Sequence, residues 1–217
     1  MKSSFQKEVS LLHEEQGSLA QHCGRAWQMG DDLDRGMFKM DQVKDGPSFL
    51  SFIEEYVSKV LHPCELPAIL SAAFSAQEQG MQGLIEADQW LQEQQAMMPL
   101  ARASRYLASR QLNRLRSLHD VRLLNRYRDA LARSQVHGWH VLVYGVVLHT
   151  FSLPLRQGLA HYQQAVLHGF KRSAASALGW EESLIRQLTS RLDALPFPSI
   201  EELRLKGDIA TLGFRVL

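Results

Sequence analysis

Two cysteines, Cys23 and Cys64, in 217 residues rule out a disulfide framework, and so thiol-poor a chain suits a reducing cytosol. No apolar stretch follows Lys2, so no secretory leader is expected. The longest apolar run, Val141 to Leu153, falls short of the roughly 20 residues a membrane span needs. It is also interrupted by His149, Thr150 and Ser152. Alternation of period two, the mark of a half-buried strand, is nearly missing. No glycine-rich phosphate loop occurs, because Gly158 and Gly169 stand alone in helical pattern, where they fit close helix packing. The expectation is a cytoplasmic chain with no membrane contact and no nucleotide site of its own.

What is present is a charge gradient. Residues 1 to 100 carry 7 Lys/Arg against 15 Asp/Glu, and residues 101 to 217 carry 17 against 8, so a formal charge of +1 hides halves of −8 and +9. Such a split arises from two faces packed within one fold, or from a basic surface that receives an acidic partner. Nucleic acid fits poorly, because the arginines are spread along helices with few aromatics beside them and the pI is about 7.9.

Apolar residues recur at spacings of three and four along most of the chain, which predicts an all-α, single-domain bundle of about eight to ten helices. Three stretches are expected: an N-terminal helix and charged connector over 1–46, a helical core over 47–195, and a capped helix with a tail over 196–217. The first helix covers residues 4–28, and the Asp-rich connector runs from Gly30 to Gly46. Gly46-Pro47-Ser48 opens a helix with Phe49, Phe52, Ile53, Tyr56, Val57 and Val60 on one side. Pro63 and Pro67 predict that this helix stops and another begins between them. That second helix, bearing Ile69, Leu70, Ala73 and Phe74, precedes an expected turn at Gly80-Met81-Gln82-Gly83 and a third helix near 84–97. From Pro99, Leu100, Ala103, Leu107, Leu115 and Leu118 share a face while Arg102, Arg105 and Arg116 point away. The segment 137–151 belongs in the core. Ser152 and Pro154 then mark the start of the next helix, and Gly179 marks its end. Ser199-Ile200-Glu201-Glu202 has the spacing of a capping box.

No catalytic constellation emerges. Among nine histidines, His137 and His140 are spaced for one helical face, as are His161 and His168. No acidic or thiol ligand lies beside the first pair, and a histidine at a helix start serves equally well as a partner for free backbone groups. Cys64 has no neighbouring base, which argues against a nucleophilic thiol. Met97 and Met98 read as core fillers.

Several motifs occur in a familiar order. Glu65-Leu66-Pro67 is similar to an Asp-Leu-Pro that precedes a helix, and Ala103-Ser104-Arg105-Tyr106-Leu107-Ala108-Ser109-Arg110-Gln111-Leu112 resembles Ala-Ser-Arg-Arg-Leu-Gly-x-Arg-x-Leu. His140-Val141-Leu142-Val143-Tyr144-Gly145 resembles His-Pro-Val-Val-x-Gly. A helix bearing Tyr162, a small-residue basic segment (Lys171, Arg172, Ser173, Ala174, Ala175), and Ala177-Leu178-Gly179-Trp180 in place of Pro-Leu-Gly-Gln follow. Together these resemble the urease accessory protein F family. Two departures stand out. Gly17-Ser18-Leu19-Ala20-Gln21-His22-Cys23-Gly24 echoes the family's Gly-Ser-Phe-x-His-Ser-x-Gly-Leu-Glu without its glutamate, and Asp208-Ile209-Ala210 begins an Asp-Ile-Ala-Ser tail without the Arg-His-Glu that follows in the family.

The resemblance implies a non-catalytic, dimeric scaffold without a cofactor or metal of its own. It would bridge and regulate the nickel-delivery GTPase, with a second urease accessory protein and the urease apoprotein as further partners. Partner contacts are implied at His140, Tyr144, Lys171, Arg172, Asp208, Ile209 and Phe214, and the tail from Asp208 to Leu217 is expected to be ordered mainly by a partner. The alternative is a metal- or ligand-binding helical protein, or an enzyme, built on the His137/His140 pair.

Overall fold

Helix α1 (Gly46–Tyr56) begins at Asp45, whose Oδ1 accepts from the Ser48 backbone N–H at 2.9 Å while the Asp45 N–H donates to Ser48 Oγ at 3.1 Å. This reciprocal cap satisfies two donors of a first turn in which Pro47 has none to satisfy. The computed structural model describes residues 43–78, 80–115 and 122–206, and every regular element among them is helical. The expected helix over 4–28, most of the connector, and the tail beyond Lys206 lie outside the described residues.

The chain divides into two compact units, each assembled from stretches far apart in sequence. In the first, residues 43–58 pack with 160–197, which include most of α7 (Leu155–Leu178) and all of α8 (Glu182–Asp193). The apolar face foreseen for α1 is its core: Phe49, Phe52, Ile53 and Tyr56 are buried. Phe170 of α7 meets Phe52 edge-on at 5.1 Å and Tyr56 at 4.9 Å, and Phe49 meets Trp180 at 5.3 Å. Each such pair is worth about 0.5–1.5 kcal/mol beyond its buried area. Gly179, at φ +64, ends α7, and the Trp180 N–H returns to the Ala175 carbonyl at 3.1 Å, the six-to-one bond of a left-handed helix end.

The second unit joins the described residues of 59–159 with 198–206. Its axis is the pair α2 (Leu66–Gln77) and α6 (His140–Thr150), which share the most extensive helix–helix contact among the described residues. Both are buried all round, α2 from Leu66 to Ala73 and α6 from His140 to Leu148, the signature of a helix with no solvent face. Around them lie α3 (Met81–Glu93), a 3₁₀ turn (Gln95–Leu100), α4 (Ala101–Arg114), α5 (Arg122–Ala132) and α9 (Ile200–Lys206). The capping box of α9 forms as its spacing predicts, with Ser199 N–H on Glu202 Oε2 at 2.8 Å and Glu202 N–H on Ser199 Oγ at 3.1 Å.

Four local expectations give way. Between Pro63 and Pro67 the helix does not stop; it widens into a π-helical stretch, Val57–Glu65, that runs straight into α2. Buried positions pass from Tyr56 to Val60/Leu61 to Cys64/Glu65, a period above four that a π-helix supplies and an α-helix does not. The turn expected at 80–83 is displaced upstream, and Gly83 sits inside α3 against the Ser75 side chain. Ser152 ends α6 instead of capping α7: at φ +52 it takes the left-handed position, and the Leu153 N–H reaches the Leu148 carbonyl at 2.9 Å. Of the two methionines, Met97 is core, whereas Met98 is 46% exposed. On α4 and at its two caps, Leu100, Leu107 and Leu115 are buried and Arg102 and Arg105 exposed as foreseen, whereas Ala103 is only half-buried and Ser104, Ala108 and Gln111 complete the inner face. Arg116 and Leu118 fall outside the described residues.

Gly145 sets how closely the axial pair can approach. A Cβ there would overlap the Ile69 carbonyl oxygen and stand 2.7 Å from Ala72 Cβ, so backbone itself blocks any side chain. At Gly158 an added Cβ would meet only the side chain of Leu148, with Cδ2 at 2.5 Å, Cδ1 at 2.8 Å and Cγ at 3.2 Å, whose methyl ends can rotate away. Gly145→Ala is therefore expected to destabilise by about 3 kcal/mol and Gly158→Ala by about 1 kcal/mol. Urea unfolding of both variants measures the difference, and equal costs would contradict this account.

Candidate functional site

Asp88 falls on the buried face of α3, between Ala87 and Leu91, where an isolated carboxylate would be costly. It is met by four donors. Oδ1 accepts from the His137 N–H at 2.7 Å and from Gln92 Nε2 at 3.0 Å, and Oδ2 accepts from the Tyr127 hydroxyl at 2.6 Å and the Gly138 N–H at 3.0 Å. A carboxylate offers about four lone-pair sites, so none is left over. Gly138 can present its N–H because it sits at φ +90, a conformation that excludes most side chains, with Leu131 filling the space a Cβ would need. Burial, and then the Asp88 charge, push the Tyr127 hydroxyl well above its ordinary range and keep it a donor. The effect is to clamp the loop that leads into α6.

One turn further on, α4 grips the first residue of α6. The His140 N–H donates to Ser104 Oγ at 3.0 Å, and the two side chains meet at 2.7 Å between Oγ and Nδ1. A hydroxyl has one hydrogen and two lone pairs, so Ser104 holds the backbone N–H and the imidazole at once, with the donor between Oγ and Nδ1 set by the ring tautomer. Both groups are fully buried, and burial lowers the His140 pKa to about 3. The separation is that of a nucleophile and its base, but so weak a base in so closed a place positions a helix and does not activate a hydroxyl.

His137 and His140 do not share a helical face as their spacing predicts, because α6 starts only at His140. His137 stacks on Trp139 at 4.5 Å, and its Nε2 lies 3.1 Å from the Ala101 carbonyl. The rings thus go to separate partners. Among the described residues no group of three or more His, Cys, Asp and Glu side chains is placed to hold a metal ion. Cys64 is buried, and its thiol is pushed up to about 12, first by burial and then by the Glu65 charge.

Of the residues expected to meet partners, His140 and Tyr144 are inside the fold. Tyr144 is 1% exposed and its hydroxyl donates to the Gly158 carbonyl at 3.0 Å, so it fastens α6 to α7. In the first unit Lys171 is 8% exposed and its Nζ donates to Thr189 Oγ1 of α8, while burial holds its ammonium below the usual lysine range. Arg172 beside it is exposed. His168, two turns on from the exposed His161, bonds Asp193 Oδ1 at 2.8 Å. Asp208, Ile209 and Phe214 lie outside the described residues.

The sequence gives no direct pointer to Asp88, Tyr127 or Ser104. The available signal is a polar residue in register with an apolar stripe: Asp88 with Leu84, Ala87 and Leu91, and Ser104 with Leu100, Leu107 and Ala108. Asp88→Asn turns one acceptor into a donor facing donors and should cost about 3 kcal/mol, against about 1–2 kcal/mol for Tyr127→Phe. Chemical denaturation reads both, and a neutral Asp88→Asn would show that the clamp contributes nothing. His140 adds a pH dependence. The unfolded imidazole takes its proton near 6.5, whereas the folded one resists protonation down to about 3, so stability is complete above pH 6.5 and falls as the solution is acidified. Between pH 7.5 and 5 this group should account for roughly 2 kcal/mol, a loss that His140→Gln removes; identical pH profiles for the two proteins would refute the assignment.

No curated protein matches the sequence. A family model does: that of UreF aligns with residues 43–178, from two residues before the Asp45 cap to the last residue of α7, well over half of the chain. The clamps on α6 and the Gly145 crossing all fall within this stretch, and the chain belongs to the UreF family, the urease accessory proteins whose motifs its helical body resembles.

Proposed function

We propose that this chain is a non-catalytic scaffold of urease maturation that positions and regulates the nickel-delivery GTPase and bridges it to a second accessory protein and the urease apoprotein, acting as a homodimer. Membership of the UreF family already carries a urease accessory role, and the match over residues 43–178 is the observation on which the finer reading rests. The buried polar groups support it, since Asp88, His140 and Tyr144 are engaged in fixing helices. Arg172, exposed beside the inward-turned Lys171, is the residue of that basic pair available to a partner, and Asp208, Ile209 and Phe214 supply a second docking segment.

Co-purification with the urease accessory proteins tests the reading. The expected result is a complex containing the GTPase, a dimer of this chain by light scattering at micromolar concentration, and a GTPase affinity at least tenfold weaker for Arg172→Glu at unchanged thermal stability. A strict monomer that retains none of the accessory proteins would overturn it.

A further inference from the structure

Helix α4 carries Arg102, Arg105, Arg110 and Arg114 and no acidic residue. Its inner face is settled by Ser104, Leu107, Ala108, Gln111 and Leu112, which are buried. The opposite stripe follows helical spacing: Arg102, Arg105, Tyr106 and Asn113 are exposed, and Ser109 and Arg110 half-buried. From Arg102 to Asn113 it extends about 16 Å at 1.5 Å per residue. Arg102 and Arg105 form no ion pair among the described residues, and like charges three apart on one face weaken a helix. Tyr106, 48% exposed, stands in the middle of the stripe with the Arg110 guanidinium 5.7 Å from its ring centroid. Arginine and tyrosine together are among the residues on which protein interfaces most depend.

We infer that the outer stripe of α4 is a docking surface for an acidic helical segment of another protein, whose carboxylates one turn apart would face Arg102 and Arg105 while its apolar side covers Tyr106. The guanidinium fork fits a carboxylate with two parallel bonds. A single-stranded nucleic acid is the poorer occupant, because its bases need a bare aromatic platform and the one exposed ring here already has Arg110 over it. The inference rests on charge and exposure, and it stands or falls separately from the nickel-delivery reading.

The test is fluorescence anisotropy of the full chain with a labelled helical peptide carrying glutamate at every fourth position on an alanine background and one central leucine. Binding that weakens with salt is expected, with at least a tenfold loss in the double variant Arg102→Glu/Arg105→Glu, whose helicity is checked by circular dichroism. A peptide with lysine in place of glutamate should bind that variant and not the parent chain. Absence of binding, indifference to the double variant, failure of the lysine peptide to restore binding, or tighter binding of an oligonucleotide of equal charge would each overturn the proposal.

Discussion

A Cβ on residue 145 would overlap the carbonyl oxygen of Ile69, and from this one constraint the second unit takes its form. Two helices buried on every side can lie together only if something on the contact is absent, and here it is a side chain of α6. Because α2 and α6 touch so closely, both exclude water over most of their length, and the remaining helices of the unit need only cover what the pair leaves exposed: α3 and α9 against α2, α4 against α6. Packing alone, however, leaves a featureless apolar cylinder free to slide or turn. Polar bonds to the ends of α6 remove that freedom, through Asp88 and Ser104 at its start and Tyr144 further along.

Much of this could be read from local pattern. The burial of α6 follows from an unbroken apolar run, the aromatic face of α1 from spacing, the end of α7 from Gly179, and the start of α9 from Ser199 and Glu202, because each depends on residues within a few positions of one another. What was not readable depends on distant residues or on a contest between local preferences. Asp88 finds three of its four partners 39 to 50 residues away, and no periodicity announces a bond of that span. Pro63 argues locally for a break, yet burial on both sides keeps the helix continuous and changes its pitch. Ser152, a good start residue in isolation, is drawn into a helix end because α6 needs a left-handed residue there. Lys171 reads as surface by its charge and is turned inward by Thr189.

The family relationship and the geometry favour the same division of labour. Buried polar groups hold the frame, and on the proposed reading exposed charge is left to deal with other proteins. Histidines that invite a metal or a base in the sequence become, in the fold, a helix's first residue and a loop's prop. On that proposed reading the chain regulates by shape, presenting a rigid surface to partners that hold the chemistry.

The clamp on Asp88 also bears on how such a chain can change through time. Loss of the carboxylate would strand the Tyr127 hydroxyl and two backbone donors in one step, and a side chain at Gly138 would withdraw one donor while disturbing the loop that carries another. Single steps away from the arrangement are therefore costly, and the backbone donors of residues 137 and 138 demand an acceptor whatever side chains surround them. Positions 88, 127 and 138 should drift through descent as a linked trio, each tolerant of novelty only when the others have moved.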